Sequence, residues 1–270
     1  MVTVTNHDIE EVIGALLADA TPPVYVVGPS PGTIKAMIEV ASTSNDAPLI
    51  RLLSEQEVLK SVFQDFLVAS NAADLISAEI LSIRTGPITQ GNELIVTADS
   101  VAGIVTAGTS IAALSTETDD FVQRANEYYS ELWDDATVYD LRTPPLTKIQ
   151  TSLADDVGEA VEADFTAVLE SLETARGNGN GLDEVTISLL VAAKNEELLY
   201  DISKWGEDIG IASKATFSRT KTTLEDLGLI DTEKVPIDVG RPRLRLKFAH
   251  EKLRDATAQE LASVAQSLMA

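Results

Sequence analysis

Apolar residues in this chain recur with two different periods, and each change of period marks an element. Residues 24–28 (VYVVG) form a continuous apolar run that predicts a buried strand, followed by a loop over 29–32 and a helix over 33–41. A second strand is expected over 49–53. Across 55–71, Val58, Leu59, Val62, Phe66 and Leu67 share one face of a helix. Strands are expected over 76–84, 93–97 and 101–106, the last two joined by Ala98-Asp99-Ser100 as a hairpin. Residues 118–134 predict a helix that buries Phe121, Ala125, Tyr128, Tyr129 and Leu132. Strands and helices alternating in this way predict an α/β domain whose last element ends near Arg142.

From Ser152 the pattern changes. Leu153, Val157, Val161, Phe165, Val168 and Leu172 recur at steps of 4, 4, 4, 3 and 4, the seam of one long amphipathic helix over 152–175. Its partner is either the rest of the chain or a second copy. Gly177-Asn178-Gly179-Asn180-Gly181 then favours open or left-handed backbone over helix and reads as a domain boundary. The expected organisation is an α/β domain over 1–150, a connector helix and linker over 151–181, a third region over 182–250, and a C-terminal helix over 251–270.

That third region carries the chemistry. A helix is expected over 183–194, with Val185, Ile187, Leu190 and Val191 apolar, and another over 198–208, with Leu199, Ile202 and Trp205. Gly210-Ile211-Ala212 makes a turn, Ser213 is a good N-cap, and a third helix runs to Leu227 before Gly228 ends it. Phe217, Leu224 and Leu227 fall on its core face. Lys214, Ser218, Arg219 and Thr222, flanked by Ser213 and Thr216, are then left to meet a major groove. A strand over 229–237 follows, and in 243–248 Arg243, Arg245 and Lys247 alternate with Leu244, Leu246 and Phe248, basic out and apolar in. Residues 238–242 make a tip that exposes Arg241. This order is that of a winged helix-turn-helix and implies double-stranded DNA as a partner. The competing reading is three small helices and a hairpin without a ligand.

Charge agrees with DNA binding only locally. The chain has a net charge of -23, yet residues 212–247 hold 8 basic against 5 acidic residues. A phosphate backbone needs a local cationic footprint, because fields from distant carboxylates are screened beyond roughly 10 Å at ordinary ionic strength. The absence of cysteine excludes disulfides and thiolate chemistry and suits a reducing cytoplasm. No apolar run reaches the ~18 residues of a membrane span, and no signal-peptide pattern opens the chain, so a cytoplasmic protein with no membrane partner is expected. His7 and His250 have no second ligand at metal spacing, and no cofactor is expected. Trp133 and Trp205 read as core anchors, and Asp119-Asp120 and Asp134-Asp135 as solvated helix-end carboxylates.

Ser213-Lys214-Ala215-Thr216-Phe217-Ser218-Arg219, continued by Leu224-Glu225-Asp226-Leu227-Gly228-Leu229-Ile230, resembles the recognition helix and its ending in archaeal and bacterial winged helix-turn-helix regulators. Lys221 departs from that pattern, sitting where such helices bury Leu; its stem should line the core edge and its ammonium turn outward. The segment Tyr128-Tyr129-Ser130-Glu131-Leu132-Trp133 is similar to the effector half of TrmB-type sugar-responsive regulators. With its acidic composition, ten lysines and sensor-first order, the whole chain resembles the haloarchaeal TbsP regulators. That resemblance implies a transcription factor of central carbon metabolism with a metabolite-sensing N-terminal domain. The inverted order departs from TrmB, so none of TrmB's sugar-binding residues is carried over. TrmB-like sensor halves resemble phospholipase D folds, whose His-x-Lys pairs are missing here, which argues against phosphodiesterase catalysis.

The loop Gly28-Pro29-Ser30-Pro31-Gly32-Thr33 lies between a strand and a helix start, where backbone N–H groups favour an anion. Gly28, Ser30, Gly32, Thr33 and Lys35 are the candidate contacts for a sugar phosphate or other anionic metabolite. A rigid turn without a ligand is the alternative. Residues 106–110 form a second small polar loop. A homodimer is expected because two-fold proteins read paired half-sites, with seams at 152–175 and at Leu253, Leu261, Val264 and Leu268 to spare. The rivals are a phosphosugar-binding enzyme with an accessory winged helix and a protein-interaction adaptor whose winged helix binds no DNA.

Overall fold

The structure, a computed structural model, describes residues 3–6, 8–18, 20–88, 92–172, 182–236 and 242–269. Its contacts group into two units, Met1–Gln64 with Val68–Leu141 and Asp65–Leu67 with Arg142–Ala270.

In the first unit the elements run β1 (Thr3–Asn6), α1 (Ile9–Leu17), β2 (Val24–Val27), α2 (Pro31–Thr43), β3 (Ile50–Ser54), α3 (Gln56–Val62), α4 (Phe66–Ser77, which belongs to this unit from Val68 on), β4 (Leu81–Thr85), β5 (Glu93–Val96), β6 (Val101–Ala107), β7 (Ser110–Thr116), α5 (Asp119–Asp135) and β8 (Thr137–Val138). Among the described residues they form a mixed sheet of order β1-β7-β6-β5-β2-β3-β4-β8. The strands β2, β3 and β4 are parallel, and β5, β6, β7 and β1 extend the sheet antiparallel from β2. β2 is buried along its whole length, which is why its sequence is an unbroken apolar run rather than an alternating one.

Three features of this unit differ from the sequence pattern. The 55–71 helix is two helices, because the backbone leaves helical geometry at Phe63 and restarts at Phe66. The strand expected from residue 76 starts at Leu81, since α4 runs to Ser77 and Glu79 turns the chain with φ 59°. Helix α5 buries Val122, Tyr129 and Trp133, whereas Phe121 and Tyr128 remain 54% and 48% exposed. Two apolar stripes exist on α5, and the sheet selects the one carrying Trp133, whose ring meets Tyr25 edge-on at 6.3 Å. Residues 106–110 span the β6–β7 hairpin turn, with Gly108 at φ 65°.

The second unit comprises α6 (Leu146–Asp156), α7 (Glu159–Glu170), α8 (Glu184–Lys194), α9 (Leu199–Ile209), α10 (Lys214–Asp226), β9 (Ile230–Val235), β10 (Arg243–Phe248), α11 (Glu251–Asp255) and α12 (Ala258–Met269). The single helix expected over 152–175 is broken. Leu153 O accepts the N–H groups of both Val157 and Gly158, and Gly158 takes φ 154°, open only to glycine, so α6 and α7 fold against each other. The seam therefore finds its partner in the same unit: Leu153, Val161, Phe165 and Val168 are buried with Val185, Leu189 and Leu190 of α8. Leu253 and Leu261 are fully buried in that core, and Val264 and Leu268 pack against it, so neither seam is spare for a second copy. Helix α6 belongs to this core from Leu146 onward. The Gly/Asn segment 177–181 and the tip residue Arg241 lie outside the described residues.

Candidate nucleic-acid interface

Helices α8, α9 and α10 form a tri-helical unit backed by the β9–β10 ribbon. Asp183 caps α8 by accepting the N–H of Thr186 at 2.7 Å. In α9, Trp205 is buried against Phe165 and its indole N–H donates to Ser152 Oγ at 2.9 Å. Gly210 ends α9 in the left-handed region, φ 91°, and Ser213 Oγ accepts the N–H of Thr216 at 3.2 Å to start α10. The two helices meet where α9 has no side chain. A Cβ on Gly206 would lie 2.4 Å from the buried Phe217 ring.

Phe217 and Leu224 hold one face of α10 in the core, and Ser213, Lys214, Ser218, Arg219 and Thr222 lie exposed on the other. Thr216 is half-buried, sharing its hydroxyl with Ser213 and receiving Arg219 Nη2 at 3.4 Å. Leu227, expected in the core, is 48% exposed because α10 ends at Asp226 and Leu229 takes the buried position after the turn. The Lys221 side chain is only 12% exposed. Its ammonium does not turn outward but binds Glu225 at 2.6 Å, and Thr232 donates to the same carboxylate.

The ribbon pairs Arg243 with Val235, Arg245 with Glu233 and Lys247 with Asp231. Leu246 and Phe248 are buried, and an isolated bridge joins Leu198 to Arg245. Arg243, Arg245 and Lys247 are half-buried rather than fully exposed. Between ribbon and α10 lies a groove of about 490 Å³ lined by Tyr200, Ser203, Lys214, Ser218 and Arg243. The Arg243 guanidinium stacks on the Tyr200 ring at 4.2 Å and the Lys214 ammonium approaches the same ring at 5.8 Å.

Most of these cations already have an acidic neighbour. Lys214 binds Glu207 at 3.0 Å, Arg243 binds Asp201 at 3.3 Å, and Lys247 binds Glu233. The hydrogen bonds from Lys214 and Lys247 hold the Glu207 and Glu233 carboxyls below their usual range, and Glu233 in turn raises Lys247. Burial pushes Glu197, beside Arg245, upward. Arg219 has no carboxylate partner among the described residues.

The N-terminal loop is built inward. Gly28 takes φ 60°, Ser30 caps α2 by accepting the Thr33 N–H at 3.2 Å, and the Ser30 and Thr33 hydroxyls lie 2.9 Å apart. Thr33, 2% exposed, donates to a carboxylate oxygen of Glu93, so a carboxylate of the chain already stands beside this helix start. Gly32 is exposed, and Lys35 is half-buried with partners of its own. The same unit has a cleft of about 960 Å³ that the sequence did not reveal, lined by Asp99, Glu117, Asp119, Gln123, Asn126 and Glu127 among others and, among the described residues, by no Lys or Arg. Its residues come from separate elements, so no local pattern marks them. His250 caps α11 through Nδ1, and His7 lies outside the described residues. No His, Cys, Asp or Glu cluster among the described residues has metal-binding geometry. No described helix is long and apolar enough to cross a membrane.

A serine-capped helix with an exposed basic face, set across a preceding helix and flanked by a basic ribbon, defines a winged helix-turn-helix. Residues 1–144 match the family model for the N-terminal part of TbsP-like transcriptional regulators, and residues 145–266 the model for their C-terminal helix-turn-helix domain. The chain belongs to the TbsP-like transcriptional regulators, and its C-terminal part is their helix-turn-helix domain. No curated protein sequence matches it significantly. Among solved structures it is similar to TrmBL2, described as an archaeal chromatin protein with a novel mode of DNA binding, at 12% identity and TM-score 0.36. That match covers 51% of this chain and 54% of TrmBL2, so the chain spans about half of that relative. NucT from Helicobacter pylori matches at 12% identity and TM-score 0.38, covering 51% of this chain and 99% of NucT.

Proposed function

We propose that the protein is a sequence-specific transcription regulator in which α10 reads base edges in the major groove and the ribbon contacts phosphates. The observation that carries this reading is the division of α10. Phe217 and Leu224 fix one face in the core, and Lys214, Ser218, Arg219 and Thr222 stand exposed on the other. Selection of bound duplexes from a random library tests it. Wild type should enrich one motif, and Arg219→Ala should lose preference at one position of that motif while still binding DNA. Enrichment of the same motif by both proteins would remove Arg219 from the readout.

The same reading includes a homodimer on paired half-sites, action in the cytoplasm on genes of central carbon metabolism, and a metabolite sensed by the N-terminal unit. Its support is the sequence resemblance and the family. A sugar phosphate at Gly28, Ser30, Gly32, Thr33 and Lys35 has to be accommodated beside Glu93, whereas the acidic cleft suits a neutral polyol or an amine. Calorimetry with sugar phosphates, neutral sugars and amines, on wild type and on Ser30→Ala with Gly32→Val, separates them. A sugar phosphate that loses affinity in the variant supports the loop; a ligand that binds both proteins equally moves the site to the cleft. Any such effector must couple reciprocally, DNA weakening its binding by the factor by which it weakens DNA binding.

A further inference from the structure

Among the described residues, two cations line the groove between α10 and the ribbon, Lys214 and Arg243, and both are held by carboxylates of α9. Glu207 accepts the Lys214 ammonium at 3.0 Å and also the Lys214 backbone N–H at 3.3 Å, at the first residue of α10. A carboxylate that joins a helix's leading N–H to a lysine ammonium sits where a phosphate oxygen would bind. On the other wall Asp201 accepts Arg243 at 3.3 Å. Arg243 is already oriented by the Tyr200 ring at 4.2 Å, so Asp201 is not needed to aim it.

We infer that Asp201 and Glu207 hold the places of two DNA phosphates on Arg243 and Lys214, are displaced when the duplex binds, and so set both its affinity and its salt dependence. This rests on the DNA-interface reading above. Exposure makes the exchange feasible: the side chains of the Lys214–Glu207 pair are 43% and 45% exposed, and those of Arg243–Asp201 36% and 35%, so solvent screens both attractions and neither pair is held by burial. DNA releases counterions when its phosphates meet Lys214 and Arg243, while the displaced carboxylates take counterions up. The two effects oppose, and the salt slope of binding is flatter than the number of cations in the groove implies.

The test is binding of the full chain to a labelled mixed-sequence duplex, by anisotropy over a salt series, because phosphate contacts do not require the operator. Asp201→Asn with Glu207→Gln keeps an acceptor oxygen at each place and removes the charge. It should bind roughly three- to fivefold tighter per carboxylate at low salt, the repulsion of unit charges about 7 Å apart in a near-aqueous medium. Its slope should steepen by up to about one unit per carboxylate. Glu57→Gln with Asp120→Asn, the same charge change at exposed pairs of the N-terminal unit, serves as the control and should leave both quantities unchanged. Equal or weaker binding by the first variant, or an equal gain by the control, overturns the inference. Lys214→Ala and Arg219→Ala separate the two levels. If neither weakens binding, the DNA interface itself is misplaced; if both weaken it and the carboxylate variant gains nothing, only the stand-in role fails.

Discussion

Helices α2 and α10 start with the same local device and put it to different use. Ser30 accepts the N–H of Thr33 at 3.2 Å and Ser213 that of Thr216 at 3.2 Å, and in each pair the hydroxyls also meet, at 2.9 and 3.1 Å. Each start also faces a carboxylate of its own chain, Glu93 at α2 and Glu207 at α10. The difference is burial. Thr33 is 2% exposed and joins its helix to a sheet strand, whereas Ser213 and Lys214 lie at the surface. A carboxylate bound to a buried hydroxyl is part of the fold, because removing it leaves an unmet polar group; one bound to an exposed lysine exchanges with another anion. Local sequence thus makes an anion-friendly helix start, and tertiary burial decides whether an outside anion can use it.

The comparison breaks most severely if α10 is not fixed by α9. Gly206→Ala pushes a methyl group into the buried Phe217 ring and should cost about 3 kcal/mol of stability, at the upper end for overpacking. Thermal unfolding should show the loss and DNA binding should fall with it; an unchanged melting temperature would mean that the helices do not meet at this point. Next in size is the exposed face. Lys214→Ala and Arg219→Ala should each weaken operator binding by roughly 1 to 3 kcal/mol in a mobility shift, with little change in melting temperature. Smaller still is the inward-facing start. Thr33→Val removes the donor to Glu93 and should cost about 1–2 kcal/mol of stability, leaving affinity for DNA as it was. A fall in DNA affinity without loss of stability would show that this loop belongs to the regulatory machinery.

A third helix start sharpens the contrast with the smallest effect. Glu184 in the first turn of α8 is raised above its usual 4.5, chiefly by burial, opposite in direction to the lysine-bound Glu207. A carboxyl raised on folding binds its proton more readily in the native state. Its ionisation therefore costs stability above the folded pKa, and that cost fades as pH falls through the folded pKa toward 4.5. Glu184→Gln should raise the melting temperature at neutral pH, by a margin that shrinks on acidification; a constant margin would assign the gain to something other than ionisation.

Much of the winged region was legible because its signals are local. Ser213 as cap, the Gly210 and Gly228 turns, Phe217 and Leu224 on one face, and the alternation through Leu246 and Phe248 each depend on a few neighbouring residues. Strands β2, β3, β5 and β6 were legible for the same reason, as short apolar runs between turns. Elements β1, α1, β7 and β8 lie outside the elements expected from the pattern, and β8 is only two residues long, held by its pairing with β4.

The periods, the caps and the exposed basic face of α10 follow from side-chain chemistry within one or two turns of chain. Tertiary structure alone decided which of two apolar stripes α5 would bury, that the seam of α6 and α7 would fold back at Gly158 onto α8, and that Lys214 and Arg243 would meet carboxylates from α9. Those outcomes depend on which surfaces come together across long separations in sequence. A residue's charge is written in its side chain, but the field it presents to a ligand is set by its neighbours in space.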